Sequence, residues 1–575
     1  MADYDLVVRG GTVHEGTGAE PRDADVAIVG GRIAAVGVIT GSGAEEIDAR
    51  GAIVTPGFID VHSHYDGQAM WAERMAPSSN HGVTSVLMGN CGVGFAPCRP
   101  DQRDMLVKLM EGVEEIPEVV MATGLPWNWE TFPEYLDALA ERRFDIDVGA
   151  QVPHSALRVY AMGERGARRE AATEEDLDLI RTLTREAVEA GAIGVSTSRH
   201  LLHRTKAGQK AYSLYSDEPE YMALAQGLRD AGSGVFQMIT NNLNDAGDEF
   251  ALMRRLARES GRPLSFTLMQ IPEAPKGWTD NLRLLHEAAA EGLEIRGQVY
   301  PRPGGVLMGL DLSIHPFMLH PSFRPLVDLP LAEKVAALRD PDLRARLLAE
   351  EPWDPNPNLR WLVSTFPNAS VLGDPPNYEP TLADRIGARA AAGGLTPHEL
   401  VYNLLLEDEG QAVLLSPVTN YIEGNLDAAR LMESHPHTVL ALGDGGAHYG
   451  SVCDASYPTS YLQQWVRDAA PGKGVALPRA VRALTLEPAQ SIGLNDRGRI
   501  AAGYKADLNV IDFERLRLHP PRVVRDLPAG GRRLRQAADG YVATIVSGQA
   551  TYREGEATGA LPGRLIRGQK AGPGG

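Results

Sequence analysis

Short apolar runs alternate along most of this chain with longer stretches in which apolar residues recur every three or four positions. The short runs read as buried strands. They end near His64, Cys91, His154, Ser198, Asn241, Gln270, Pro301 and Asp444. The longer stretches between them, among them 173–190, 218–231 and 281–291, read as helices. Thr173-Glu174-Glu175-Asp176 opens one with an N-cap residue and an acidic first turn. This alternation, eight times over, predicts an α/β protein with a (β/α)8 TIM barrel, the alternative being an open doubly wound sheet.

The two ends read differently. Runs at 6–13, 24–29 and 32–36 are separated by glycine pairs, and similar short β runs return at 498–500, 506–512 and 540–548. Both termini are therefore expected to build one small β-sandwich domain, from residues 1–55 and 486–555, around a barrel at 56–485. A proline-rich segment at about 311–412 reads as an elaborated connection between strands seven and eight, placed to lid the site. Residues 556–575, rich in Gly and Arg, read as a loosely ordered tail.

Composition narrows the functional classes. The formal net charge of −19 argues against nucleic acid, which needs clustered Lys and Arg. No apolar run is long enough to span a bilayer, so no membrane association is expected. Three cysteines make no disulfide framework, and Met1-Ala2-Asp3-Tyr4-Asp5 has no leader pattern, so a cytoplasmic location is expected.

In a barrel the strand C-termini face the active site. Val61-His62-Ser63-His64 closes the first strand, and residues i and i+2 of a strand share a face, so His62 and His64 aim together. Strand two ends at Cys91, strand three at His154 and strand eight at Asp444. Imidazole, thiolate and carboxylate are the groups zinc accepts. Each has a second reading: Cys91 as a small buried hydrophobe, His154 as a substrate-facing or purely structural histidine, and Asp444 as a proton shuttle or the cap of an Asp-Gly-Gly turn. His200 and His203 read as solvated or substrate-facing, and His448 and Cys453 as loop residues rather than ligands.

The segment Pro56-Gly57-Phe58-Ile59-Asp60-Val61-His62-Ser63-His64 resembles the strand-one signature of the amidohydrolase superfamily. Gly89-Asn90-Cys91-Gly92 narrows the resemblance to the D-aminoacylase (N-acyl-D-amino acid deacylase) branch. His154-Ser155-Ala156-Leu157-Arg158, Val299-Tyr300-Pro301, Gly443-Asp444-Gly445 and Asp496-Arg497-Gly498-Arg499-Ile500 extend it over nearly the whole chain. The resemblance implies a metal-dependent hydrolase of a small-molecule amide. Its metal set would be His62, His64, Cys91 and Asp444, with Asp444 also moving the proton.

The chain departs from that pattern in two places. Ile239 and Leu268 stand where the resemblance puts one histidine each on strands five and six, and no lysine ends strand four. One zinc ion per chain is therefore expected rather than two. The lysine and arginine that would hold a substrate carboxylate after strands six and eight are also missing, which leaves Arg302, Arg199 or Arg204 as substitutes, Tyr300 as a further substrate contact, and Trp127 and Trp129 as an apolar wall or as packing. The functional expectation is hydrolysis of an N-acyl (D-)amino acid. Hydrolysis of a cyclic amide, lactone or ester, and a non-catalytic degenerate barrel, are the alternatives.

Overall fold

The structure is a computed structural model describing residues 2–241 and 246–573. Its centre is a barrel of eight parallel strands: Phe58–Asp60, Val83–Met88, Asp147–Pro153, Gly194–Ser198, Val235–Ile239, Leu264–Thr267, Ile295–Val299 and Thr438–Leu440. Seven neighbouring pairs form a continuous parallel ladder. The eighth strand meets the first through its following loop: the His64 N–H donates to the Gly445 carbonyl at 2.7 Å and the Asp444 N–H to the His62 carbonyl at 3.1 Å. The barrel is thus drawn shut by backbone bonds between the segment after strand one and the loop after strand eight. The helices Glu174–Glu189, Glu218–Ala231 and Gly277–Ala290 lie between strands, near the positions the periodicity predicts. Thr173 accepts from the Asp176 N–H, as its capping pattern requires.

The apolar run 53–60 is divided between two sheets. Ile53–Pro56 pairs antiparallel with Leu508–Ile511 in a nine-stranded β domain, whereas Phe58–Asp60 begins the barrel. Gly57 sits at the crossing, where a Cβ would lie 2.2 Å from Thr84 Oγ1, so only glycine fits. Alternate residues from both termini, including Leu6, Val8, Val26, Ile28, Val54, Leu508, Val510 and Ile545, bury one face of this sheet in a shared core.

The long connection between strands seven and eight is a subdomain. It has a three-stranded sheet (Gly304–Met308, Leu414–Thr419, Ser370–Val371) and its own helical core around Phe317, Phe323, Leu347 and Tyr402. It rests on the loop after strand eight, through Leu307 N–H to the Ser451 carbonyl at 2.7 Å and Ser313 N–H to the Gly450 carbonyl at 2.9 Å. The tail, expected to be loose, is held instead. Leu565–Ile566 pairs in parallel with Val148 and Gly149 of the third barrel strand, and Gly568 N–H donates to the Gly191 carbonyl at 2.8 Å. Backbone pairing explains the difference, because a sequence rich in Gly and Arg still supplies N–H and C=O groups to an open strand edge.

Candidate metal centre

His62, His64, Cys91 and Asp444 converge at the C-terminal mouth of the barrel. The ligand atoms of His62, His64 and Cys91 all lie within 4.8 Å of one another. Cys91 Sγ is 3.3 Å from His62 Nε2 and 3.7 Å from His64 Nε2. Asp444 Oδ1 is 3.5 Å from His62 Nε2 and 3.6 Å from His64 Nε2. Metal–ligand bonds of about 2.0–2.3 Å in tetrahedral array put donor atoms roughly 3.3–3.8 Å apart, which is the spacing these contacts have. Asp444 Oδ1 is buried and makes no hydrogen bond. The donor types, spacing and orphaned oxygen fit a divalent cation such as zinc.

The strand itself ends at Asp60, before the histidines. Backbone contacts hold the pair beyond it. His62 N–H donates to Asp60 Oδ1 at 3.0 Å, and Ser63 N–H donates to the Leu87 carbonyl at 3.0 Å. Cys91, Leu442, Asp444 and His448 all adopt left-handed φ, of 57°, 69°, 47° and 50°. Such angles are uncommon outside glycine and concentrate where surrounding structure holds a functional geometry. Gly443 admits no side chain, because a Cβ would lie 2.0 Å from Asp60 Oδ2.

Four supporting groups carry no signal strong enough to pick out of the sequence. Gln298, on strand seven, places Oε1 2.7 Å from His62 Nδ1 and donates through Nε2 to Ser265 Oγ at 3.0 Å. Gln237, on strand five, accepts the Cys91 N–H at 3.3 Å. Asp60, buried, is the last residue of strand one itself. Glu114 follows the helix Arg103–Val113 and lies 3.5 Å from His64 Nδ1. A glutamine inside a buried strand is the one available hint; Glu114 is fifty residues from His64 and has none.

Charge is concentrated here. Burial pushes the Asp444 carboxyl up, but His64, His62 and His448 more than offset it and hold it well below the usual carboxylate range. Burial lowers His62 to about 4. Burial pushes the Cys91 thiol well above its usual value, with Glu114, Asp444 and Asp66 adding to it, so a nearby cation is what would make it a thiolate. Burial raises Asp60 to about 7.

Other expected site residues lie elsewhere in the polar network. His154 is fully buried with both ring nitrogens engaged, Nδ1 at 2.7 Å from Thr197 Oγ1 and Nε2 at 2.7 Å from Glu220 Oε1, so it has none left for substrate. Arg302 is equally committed: Nε donates to Ser460 Oγ at 2.6 Å, Nη2 to Ser456 Oγ at 3.0 Å and Nη1 to the Cys453 carbonyl at 3.3 Å, with the guanidinium over the Tyr378 ring. Arg199 grips Glu249, with Nη2 2.9 Å from Oε1. Arg204 donates to the Gly208 carbonyl of its own loop. Tyr300 is buried with no hydrogen-bond partner at its hydroxyl. Trp129 is buried, donating to the Phe95 carbonyl at 2.9 Å, and Trp127 packs beside it. Ile239 and Leu268 are buried apolar residues. His203 is half-buried, and burial together with His200, His64, His448 and His62 lowers it well below the usual range, which places it within electrostatic reach of the centre. His448 faces Glu114 and Glu115 rather than the donor cluster. Cys453 is buried among apolar residues.

A parallel barrel joined to a β domain made from both termini, with a His-Ser-His pair at the end of its first strand, defines an amidohydrolase-class barrel. The amidohydrolase family model matches residues 45–552, and the chain belongs to that family. It is therefore an enzyme of the class that hydrolyses C–N bonds. It is 26% identical over 572 residues to the N-acyl-D-aspartate deacylase of Alcaligenes xylosoxydans xylosoxydans, covering 98% of this chain and 95% of that one. It is 27% identical over 573 residues to the N-acyl-D-glutamate deacylase of the same organism, covering 98% and 96%. Among solved structures, a D-aminoacylase superposes with a TM-score of 0.63 at 21% identity, covering 98% of this chain and 100% of that chain. An N-acyl-D-glutamate deacylase from Bordetella bronchiseptica, complexed with zinc and a phosphonate inhibitor, does so with a TM-score of 0.63 at 22% identity, covering 98% and 99%. The D-aminoacylase resemblance read from the motifs thus extends across nearly the whole chain. No helix among the described residues is long and apolar enough to cross a membrane.

Proposed function

We propose that this protein is a single-metal hydrolase that cleaves the amide bond of N-acyl amino acids, with His62, His64, Asp444 and Cys91 holding one zinc ion. The observation that carries the reading is the convergence of four donor atoms, one of them the orphaned Asp444 Oδ1, at the barrel mouth. When bound, a divalent cation there supplies an acidified water and polarises the substrate carbonyl. Asp444 takes the proton from the attacking water and delivers it to the departing amine nitrogen. Gln298 orients His62, and Gln237 fixes the backbone at Cys91. Ile239 and Leu268, whose aliphatic side chains offer no donor, support one metal rather than two. A D-aminoacylase structure is described by a binuclear metal center with one-metal activation and second-metal attenuation, so in that protein one metal is the activating one. The names of the N-acyl-D-aspartate and N-acyl-D-glutamate deacylases favour D-configured substrates.

A second reading is hydrolysis of a cyclic amide, lactone or ester. It is favoured by the commitment of Arg302 and Arg199 to internal partners, which removes them as anchors for a substrate carboxylate.

Protein purified without added metal and assayed for metal content should hold close to one ion per chain. It should hydrolyse N-acyl-D-amino acids ahead of their L-isomers, lactams and esters. Turnover confined to lactams or esters selects the second reading. Absence of both metal and hydrolysis refutes both.

A further inference from the structure

The carboxylate of Glu114 sits between two histidines. Oε1 lies 3.5 Å from His64 Nδ1, the ring nitrogen opposite the one that faces Cys91 and Asp444, and Oε2 lies 3.6 Å from His448 Nε2. The side chain is 1% exposed, and neither Oε1 nor His64 Nδ1 has another hydrogen-bond partner. Two buried polar atoms facing each other without alternatives are a pair awaiting closure, because leaving both unsatisfied is costly. The backbone ties the arrangement together: His448 N–H donates to the Glu114 carbonyl at 2.6 Å. His448 belongs to the loop that also carries Asp444. Its other ring nitrogen, Nδ1, lies 3.7 Å from Glu115 Oε2, and Glu115 is bonded to Ser451. The end of the helix Arg103–Val113 and the loop after strand eight are therefore pinned to each other directly behind His64.

We propose that Glu114 is a positioning residue for the metal centre: it accepts the Nδ1 proton of His64, turns the Nε2 lone pair toward the donor cluster, and is itself held by the His448 side chain. A histidine ligand whose second nitrogen donates to a carboxylate has a fixed tautomer and ring plane and a more basic coordinating nitrogen. Gln298 does the same for His62 with a neutral acceptor. The two imidazoles would thus be oriented by different chemistry, an amide on one side and a carboxylate on the other. Glu114 reaches His64 from an element outside the barrel strands, which is why the His-Ser-His motif gives no sign of it.

The inference rests on the metal reading above, and the test separates the two. Zinc dissociation constants are measured by chelator competition on wild-type protein, Glu114→Gln and Glu115→Gln, with the visible spectrum of the cobalt-loaded forms as a second readout. Glu114→Gln keeps the shape but loses the charge; it should bind zinc about 10- to 100-fold more weakly and shift the cobalt bands. Glu115→Gln touches His448 but not His64 and should bind within about twofold of wild type. Wild-type affinity in Glu114→Gln overturns the proposal. Equal weakening in both variants also overturns it, since that would reflect the general field of the acidic pair. If Glu114→Gln does not fold, Glu114→Asp, which withdraws the carboxylate by one methylene, is judged by the same criterion. Wild-type protein that binds no zinc refutes the metal reading itself.

Discussion

Gln298 Oε1 lies 2.7 Å from Nδ1 of His62, and the Gln298 amide nitrogen is fixed by Ser265 Oγ at 3.0 Å. In this arrangement the amide nitrogen donates to Ser265 Oγ and the amide oxygen accepts from His62 Nδ1–H. His62 must then carry its proton on Nδ1 and present the Nε2 lone pair to Cys91 and Asp444. Replacing Gln298 by Leu removes that constraint while keeping the volume near constant. Metal affinity should fall by about 10-fold or more, with the fold intact by circular dichroism. Unchanged affinity would show that packing alone holds the ring.

Gly443 offers a steric test of the same geometry. A methyl group at this position meets Asp60 Oδ2 at 2.0 Å, and Asp60 is buried with a backbone bond to His62. Gly443→Ala should therefore displace Asp444 or His62. A loss of hydrolysis by at least about 10²-fold is expected, the scale of a misplaced proton-transfer group. Steady-state kinetics on the folded variant would check it.

Arg302→Met separates a structural arginine from one that binds substrate. Three bonds to Ser460, Ser456 and the Cys453 carbonyl disappear together. Each buried group left unsatisfied costs about 1–3 kcal/mol. Urea unfolding should show a loss of that order or more, while KM for an N-acyl amino acid stays within about threefold of wild type. A large rise in KM with stability retained would return Arg302 to the substrate site.

Acid stability should report the His154–Glu220–Arg158 cluster. Burial raises the Glu220 carboxyl, but His154 and Arg158 reverse this and lower it to about 2 from 4.5. In the unfolded chain it titrates near its ordinary value. The stabilisation is therefore complete above about pH 4.5 and is lost as pH falls from there through about 2. Glu220→Gln should lose up to about 3 kcal/mol at neutral pH and show a flatter acid limb across that window. An unfolding curve that keeps its wild-type acid slope would count against the assignment.

The barrel was legible because period-2 and period-3.6 patterns alternate locally, and each strand or helix is decided by residues within about a dozen of its neighbours. The paired β ends and the His-Ser-His, Asn-Cys-Gly and Gly-Asp-Gly segments were legible for the same reason. The chain order alone therefore determined a barrel with a split β domain and pointed to the four side chains that the structure brings together at its mouth. It did not determine what surrounds them. Gln298, Gln237 and Glu114 reach the donors only because strands seven and five and the end of the helix Arg103–Val113 meet at one barrel mouth. His154 and Arg302 sit at strand ends as expected, yet tertiary contacts with Glu220 and with Ser456 and Ser460 consume their hydrogen-bonding capacity. Side-chain direction and partner choice are set by long-range packing, which a linear pattern does not encode, so only the folded molecule decided which polar residues face the centre and which hold the walls together.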